Sequence, residues 1–229
     1  MGTTERKDRE RQAVRDSILD AARDLFVAEG YRNVSIRKVA ERIEYSPAAI
    51  YSYFESKDDI FYALAEEGFR RLSAKVRSSV GQADPLEEIR AGWWAFYEFS
   101  KEQREFFELM FVDRSVPKIT DQWEGFEVLQ QLLGASVASL QRGIDAGVLP
   151  STLNPHTAMH VLWGALLGPS VIGACHRLAP GEDCDALARD VLETTLAGLR
   201  AGVDLSFIPC ECSGERAAVA PLGVSAHES

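Results

Sequence analysis

The sequence predicts an all-α protein with an N-terminal three-helix unit and a C-terminal helical bundle. Apolar residues recur at the i, i+3, i+4, i+7 spacing of helices along most of the 229 residues. Ser, Thr, Asp or Asn precedes several of these stretches and is sometimes followed by Pro, as at helix starts. No segment alternates apolar and polar residues between turn dipeptides, as strands do. The length allows one or two domains with a sizeable core.

Residues 1–10 form a charged lead-in without a helix cap, and we predict that they are a flexible arm. The local cations of this region are Arg6, Lys7, Arg9, Arg11 and Arg15. Such a run could follow a nucleic-acid backbone or enter a minor groove. We favour the alternative of a solvated tail, because most runs of charged residues are solvated. The first helix then carries an apolar stripe from Val14 to Phe26 and ends at Gly30.

Residues 35–57 predict two short helices joined by a tight turn, followed by the start of a third. Ser35 stands where its side chain can accept a free backbone N–H of the first helix. Ser46 does the same for the second helix, in which Pro47 takes the first position. The first helix has one apolar stripe, made by Ile36, Val39, Ala40 and Ile43.

Ile50 and Phe54 turn one side of the second helix inward, so a small, polar and aromatic face remains outside. Two such helices with a buried seam make a helix-turn-helix, whose second helix can enter the major groove of DNA. Its first side chains would approach base edges, while tyrosine hydroxyls and a lysine would contact phosphates. The predicted DNA-binding residues are Ser35, Arg37, Ser46, Pro47, Ala48, Tyr51, Tyr53 and Lys57. The alternative is an ordinary helical hairpin inside an all-α domain.

Spaced residues in and around this motif match a known family in order. They are Leu25, Phe26, Gly30, Tyr31, Ser35, the run from Ser46 to Phe54, Ser56 and Lys57. Through them, residues 18–64 resemble the DNA-binding domain of the TetR family of transcriptional regulators. The resemblance implies a dimeric all-α protein whose N-terminal domains bind an operator and whose C-terminal domain usually binds a small effector. The family usually has Gly in the turn, where this chain has Glu44, and a left-handed non-Gly residue costs about 1 kcal/mol.

A long helix is predicted from about Lys57 towards Val80, and it connects the two parts of the chain. Gly81 to Pro85 breaks it, and after Pro209 the composition favours disorder. The later helices are predicted at residues 85–102, 103–114, 120–146, 154–177 and 183–201. The predicted segments are a flexible arm (1–10), a helix-turn-helix DNA-binding domain (11–60), a ligand-binding and dimerisation domain (61–203) and a disordered tail (204–229).

Aromatic residues are concentrated between residues 93 and 126, and they suggest either a bundle core or a ligand cavity. Aromatic stripes are more often core, but Trp93 and Trp94 are adjacent and cannot both face one seam of a helix. In the resembling family, the space between the middle helices is the effector pocket. We therefore predict a mainly apolar pocket for a hydrophobic or aromatic small molecule. Its predicted lining residues are Trp94, Tyr97, Phe107, Met110 and Trp163.

The last two helices predict a dimer interface. Gly164 and Gly168 lie one turn apart on an apolar helix, a spacing that allows close backbone approach. Two such helices from each chain would form a four-helix bundle with two-fold symmetry. The dimer would present its recognition helices to the half-sites of a palindromic operator in double-stranded DNA. In the alternative, this helix pair closes the core of the monomer.

The net charge of −10 lies mainly outside the motif. Residues 1–60 hold 11 Lys and Arg against 12 Asp and Glu, so the remaining residues carry the acidity. We expect weak non-specific affinity for DNA, because specific binding needs a local set of donors rather than a basic protein. No signal peptide is visible, and the apolar run from Val161 to Cys175 predicts a buried helix rather than a membrane span. With four Cys, these features favour a cytoplasmic protein, nucleoid-associated when bound to DNA.

Metal and catalytic patterns are weak. His156 and His160 are i, i+4, but the Cys pairs that a structural zinc site needs are missing from the sequence, and Cys210 and Cys212 suggest free thiols. We predict no catalytic site, metal or cofactor. The predicted function is a dimeric transcriptional repressor that a small-molecule effector releases from its operator. The alternative is a small-molecule-binding or metal-sensing helical bundle with a weakened DNA-binding domain.

Overall fold

A computed structural model describes residues 3–79, 81, 84–112 and 125–209, and every regular element in these ranges is helical, which confirms the predicted all-α class. The helices are α1 (Thr3–Glu29), α2 (Ile36–Arg42), α3 (Pro47–Tyr51), α4 (Lys57–Ser79), α5 (Pro85–Glu102), α6 (Arg104–Phe107), α7 (Glu127–Asp145), α8 (Pro155–Ala174) and α9 (Cys184–Ala201). A 3-10 turn, Tyr31–Asn33, follows α1, and a π-helical turn, Glu108–Val112, continues α6.

Helix α1 begins much earlier than the sequence suggested. Residues 3–10 are helical and continuous with the rest of α1, so the predicted flexible arm is corrected for this part. The reason is local, because the exposed side chains pair one turn apart. Arg6 Nε donates to Glu10 at 3.0 Å, and Gln12 donates to Asp16 at 2.7 Å. Such i, i+4 pairs stabilise an exposed stretch of helix.

The predicted helix-turn-helix is confirmed in its local geometry. The Ser35 hydroxyl accepts the Lys38 N–H at 3.3 Å, and the Ser46 hydroxyl accepts the Ala49 N–H at 3.2 Å, so both predicted caps form. Glu44 has φ 59°, which is the left-handed conformation that favours glycine. Its backbone therefore carries the expected cost of about 1 kcal/mol, and the turn keeps its shape.

Helix α4 joins the two parts of the molecule as one continuous element. It packs against α1 near its N-terminal end and against α5 further along, with Phe61, Phe69 and Leu72 fully buried. The predicted boundary between residues 60 and 61 lies inside this helix. Gly68 lets α6 approach, because a Cβ at this position would lie 2.3 Å from Met110 Sδ and 3.2 Å from Phe106 Cδ1. A movement of α4 would therefore displace residues in both parts of the chain.

The C-terminal part is a bundle in which α5 packs against α4, α7, α8 and α9. The Asn154 side chain caps α8 by accepting the His156 and Thr157 N–H groups. Asp183 caps α9 in the same way, and Gly202 ends α9 with φ 73°. The predicted start of α7 near residue 120 lies outside the described residues.

Residues 203–209 follow α9 without regular structure and are mostly exposed, but some of them contact the bundle. Leu205 packs against the core, and the Phe207 carbonyl accepts the Thr157 hydroxyl of α8 at 3.0 Å. The Phe207 ring lies 5.2 Å from His160. The prediction of a disordered tail is therefore corrected for residues 204–209. Residues 210–229 lie outside the described part of the chain.

Helix α8 is the most apolar helix of the described chain. By length and composition alone it could cross a membrane, a test that core helices of soluble proteins also pass. Fewer than half of the residues in its most apolar stretch are buried. The predicted buried helix is therefore covered on one side only.

Candidate DNA-binding surface and ligand cavity

The outer face of α3 consists of small side chains and one aromatic ring. Ser46, Pro47 and Ala48 are exposed, and Tyr51 is 55% exposed, whereas Ile50 on the opposite side is fully buried. Burial of Ile50 against the stripe of α2 fixes the rotation of α3 about its axis. This arrangement can place short side chains close to base edges and a tyrosine hydroxyl near a phosphate.

Two predicted contact residues on α2 also face outward. Ser35 is exposed, and its oxygen serves as the cap while its hydroxyl proton remains available for a donor bond. The Arg37 side chain is 81% exposed and pairs with Glu41 at 2.9 Å on the same helix. A surface ion pair of this kind is weak, so a phosphate can replace the carboxylate.

Lys57 is half-buried, and the protein itself uses two of its three N–H donors, in place of the predicted phosphate contact. Its Nζ donates to the carbonyl oxygens of Tyr31 at 2.7 Å and Val34 at 2.9 Å, and it lies 3.8 Å from the Tyr31 ring centroid. Burial lowers the pKa of this ammonium group, despite the nearby Asp58 carboxylate. The Tyr31 hydroxyl in turn donates to Asp58. Lys57 thus ties the first turn of α4 to the segment between α1 and α2.

Tyr53 is half-buried, because the end of α3 turns towards α1. The Arg11 guanidinium lies 5.7 Å from the Tyr53 ring centroid, and Arg15 lies 5.1 Å from that of Phe54. Lys7 and Arg11 line a shallow groove between α1 and Tyr53. The N-terminal turns of α1 therefore extend the surface of α3 with cations. The i, i+4 spacing of Lys7 and Arg11 was the available signal, but it has meaning only if residues 3–10 are helical.

Tyr45 is a candidate contact residue that the sequence pattern did not indicate. It is 45% exposed in the turn between α2 and α3, directly after the left-handed Glu44. The hydrogen bond from its N–H to the Ala40 carbonyl, at 2.9 Å, holds the turn. A large amphipathic ring beside the recognition helix is suited to a backbone or base contact.

A cavity of about 190 Å³ lies between α4, α5, α7 and α8 in the C-terminal part. Its apolar wall includes Leu72, Val76, Ile89, Trp93, Phe96, Phe111, Leu129, Leu132, Leu133 and Trp163. Its polar lining residues are Ser73, Arg77, Glu88, Gln131, Ser136, Ser139 and Arg142. Of the five predicted lining residues, only Trp163 borders this cavity.

Trp94 and Tyr97 are corrected because they face α9 instead of the cavity. The Arg189 guanidinium of α9 lies 5.1 Å from the Trp94 ring centroid. The Tyr97 hydroxyl donates to Asp185 at 2.7 Å, and burial, together with Cys184 and this carboxylate, raises the pKa of Tyr97 far above its ordinary value. The adjacent Trp93 occupies the cavity side.

Phe107 and Met110 are corrected because they belong to the solid core. Phe107 is fully buried and packs between Phe96 and Phe111, with ring centroids 6.2 and 5.2 Å away. Met110 is buried against Gly68 of α4. The next aromatic ring in the chain, Phe111, reaches the cavity in their place.

The outer side of α8 is open. A Cβ added at Gly164 or Gly168 would meet no atom of the described residues within 4 Å. On the neighbouring α9, Leu187 and Val191 are half-buried. The small residues that the sequence singled out therefore share a face that the described part of this chain leaves uncovered.

Metal-ligating side chains are dispersed in the described ranges, where no group of three or more His, Cys, Asp or Glu converges. His156 is exposed, and the Nδ1 of His160 lies 2.8 Å from the His156 carbonyl. Cys175 and Cys184 are free thiols. The predictions for Cys210 and Cys212 lie outside the described residues.

Residues 18–64 match the family model described as "Bacterial regulatory proteins, tetR family". The HTH-type transcriptional repressor AcnR of Corynebacterium diphtheriae is 28% identical over 189 residues, which cover 80% of this chain and 90% of that protein. The HTH-type transcriptional repressor Rv1474c of Mycobacterium tuberculosis is 40% identical over 79 residues, or 34% of this chain and 42% of that protein. The transcriptional regulator FadR from Bacillus subtilis, solved in complex with stearoyl-CoA, has the same fold. Its TM-score is 0.69 at 20% identity, over 80% of this chain and 97% of that chain.

Proposed function

We propose that this chain acts as a homodimer on a palindromic operator and that a hydrophobic or aromatic effector releases it from that operator. The chain belongs to the TetR family of bacterial regulatory proteins and is a helix-turn-helix transcriptional repressor. The observation that carries the DNA-binding role is the outer face of α3. The exposed side chains on this face are Ser46, Pro47, Ala48 and Tyr51. Burial of Ile50 on the opposite side fixes the rotation of the helix about its axis. This face is slim enough for the major groove.

The dimer is supported by the uncovered side of α8. A helix that is apolar all round is stable in water only when all its sides are covered. The bundle covers one side, and the side with Gly164 and Gly168 is open to a second copy. Small residues allow two helices to approach closely, and the neighbouring α9 carries the half-buried Leu187 and Val191. We infer a four-helix bundle of α8 and α9 from two chains.

Effector control is supported by the position of α4 between the cavity and the DNA-binding surface. Leu72 and Val76 near its C-terminal end line the cavity. Its first residue, Lys57, is hydrogen-bonded to the carbonyls of Tyr31 and Val34 in the N-terminal domain. An effector that binds one tilt of α4 better than the other would change the separation of the two α3 helices.

The apolar wall of the cavity supports a hydrophobic or aromatic effector. Trp93, Phe96, Phe111 and Trp163 supply most of its aromatic surface. The FadR regulator that shares this fold was solved with stearoyl-CoA, which is consistent with an apolar effector here. We place the protein in the cytoplasm, associated with the nucleoid when it binds DNA.

A footprint on the DNA that flanks the protein's own reading frame, at two salt concentrations, tests this proposal. We expect a protected palindrome with half-sites about 34–36 Å apart, or slightly more. If the footprint is absent, it is repeated with Glu44→Gly, which relaxes the left-handed turn by about 1 kcal/mol. Protection by this variant alone would show that the turn at Glu44 prevents DNA binding by the unmodified protein. Protection by neither protein would contradict an operator beside this gene.

A further inference from the structure

We propose that the effector is a small amphipathic carboxylate, whose apolar body lies among the aromatic rings of the cavity and whose carboxylate binds Arg77. This inference rests on the proposed function, because it names the chemical class of the molecule that fills the cavity. It follows from the distribution of polarity along the cavity, its charge and its length.

Three helices line the cavity with faces that each end in a charged side chain, namely Arg77 on α4, Glu88 on α5 and Arg142 on α7. The faces run from Leu72 to Arg77 on α4, from Phe96 back to Glu88 on α5, and from Leu129 to Arg142 on α7. The charged ends of the α5 and α7 faces meet each other, and Arg77 lines the same cavity. Ser139 of α7 donates to the Glu88 carboxylate of α5 at 3.0 Å, and Arg142 also donates to it. A ligand in this cavity therefore meets a polar rim at one end and aromatic rings at the other.

The rim carries one positive charge in excess. Arg142 and Glu88 form an ion pair and neutralise each other. Arg77 donates to the Ser73 hydroxyl at 2.8 Å, and no carboxylate of the described residues pairs with it. The remaining polar lining groups, such as Gln131 and Ser136, are neutral. Arg77 thus keeps unused N–H donors in a planar fork that matches a carboxylate.

The dimensions limit the size of the apolar body. From Glu88 to Phe96 the α5 face is about 12 Å long at the 1.5 Å rise of a helix. The volume of about 190 Å³ lies below the ~300–1,000 Å³ that is usual for drug-sized ligands. A medium-chain or arylalkyl body suits this space. A single excess charge favours a carboxylate over a phosphate dianion.

The position of Arg77 also connects the ligand to the proposed control of DNA binding. Arg77 lies in the last turn of α4, whose first residue is Lys57. A carboxylate at Arg77 therefore acts on the end of α4 that is farthest from the DNA-binding domain. Its binding should favour one tilt of that helix.

The test compares decanoate and 4-phenylbutyrate with their uncharged amides, using the full chain and its tryptophan fluorescence. Trp93 and Trp163 border the cavity, so occupancy should change the emission. We expect each carboxylate to bind about tenfold more tightly than its amide, since bonds between charged groups are roughly twice as strong as neutral ones. Arg77→Gln should remove this preference and leave amide binding unchanged, which shows that the cavity is intact. Arg77→Lys should keep part of the preference.

Arg70→Gln is the matched control, because Arg70 lies on the same helix and pairs with Glu66 outside the cavity. It should bind both ligand classes like the unmodified protein. Equal binding of carboxylates and amides would overturn the inference and leave an apolar effector site. Binding of neither class would overturn both the inference and the proposed effector cavity. Tighter binding of decyl phosphate or stearoyl-CoA than of decanoate would overturn the assignment of a carboxylate.

Discussion

Replacing Lys57 with Met should destabilise the N-terminal domain without removing a phosphate contact. The Lys57 ammonium donates to two backbone carbonyls, of Tyr31 at 2.7 Å and Val34 at 2.9 Å. It also lies 3.8 Å from the centroid of the Tyr31 ring. Met retains most of the apolar stem but offers no donor, so both carbonyls lose a partner.

The expected cost follows from these contacts. A hydrogen bond that involves a charged group contributes about 1.5–3 kcal/mol, and a partly exposed cation–π contact about 0.5–1 kcal/mol. The side chain is half-buried, so water replaces part of what is lost. We therefore expect a loss of about 2–3 kcal/mol in the free energy of unfolding, or about 4–12 °C in melting temperature for a chain of this size.

Thermal unfolding followed by circular dichroism measures this loss, and operator titrations over a range of salt measure phosphate contacts. Each phosphate contact contributes about 0.9 to the slope of log K against log salt, and Lys57→Met should leave that slope unchanged. Lys75→Met is the control on the same helix, since Lys75 is also half-buried but pairs with the more exposed carboxylates of Glu98 and Glu102 instead of with backbone carbonyls. Its loss should be smaller, about 1 kcal/mol or less. An unchanged melting temperature together with a lower salt slope would refute our assignment of Lys57 to the backbone carbonyls of Tyr31 and Val34.

Three further outcomes are expected. Arg11→Gln should weaken operator binding uniformly across sequences and lower the salt slope by about one contact, as measured by gel shift. Gly168→Arg should yield a monomer in sedimentation, because it places a long charged side chain on the open face of α8, whereas Gly134→Arg on α7, which is equally unobstructed, should remain a dimer. A hydrogen bond from Lys101 lowers the pKa of Asp185, so the stability that this carboxylate contributes is present above the ordinary carboxyl pKa and is lost as pH falls below about 4. Asp185→Asn should therefore flatten the acid limb of the stability curve measured by urea unfolding.

Each of these three predictions would be contradicted by a specific result. An unchanged salt slope in Arg11→Gln would remove α1 from the DNA-binding surface. Dissociation of the Gly134→Arg protein would mean that any bulky charge disrupts the dimer, and the choice of α8 would lose its support. If the free energy of unfolding falls as steeply at low pH in Asp185→Asn as in the unmodified protein, the bonds to Asp185 do not contribute to stability.

The local signals of the sequence were sufficient for the helix-turn-helix. Ser35 and Ser46 cap helices, and Glu44 takes the left-handed conformation that its position in the turn required. Caps, turns and apolar stripes depend on residues within about four positions of each other. The outward direction of Tyr51 followed from the inward direction of Ile50 on the same short helix.

Local reasoning failed where two faces of one helix were both apolar. Trp93 and Trp94 differ by about 100° around α5, and the sequence showed that only one could face a given seam. It did not show which neighbour each would meet, because that depends on how α5 rotates between α8 and α9. The structure places Trp93 at the cavity and Trp94 under Arg189.

By itself, the sequence determined the all-α class, the helix-turn-helix, the outward face of α3 and the small-residue stripe of α8. Only the tertiary structure bonded Lys57 to the carbonyls of Tyr31 and Val34, and left Arg77 at the cavity without a carboxylate partner among the described residues. The physical reason is the range of the interactions involved. Helix formation is decided by hydrogen bonds and side-chain contacts within one or two turns, so it can be read along the chain. The burial of a charge or the opening of a cavity depends on groups more than twenty residues apart, which meet only when the helices pack.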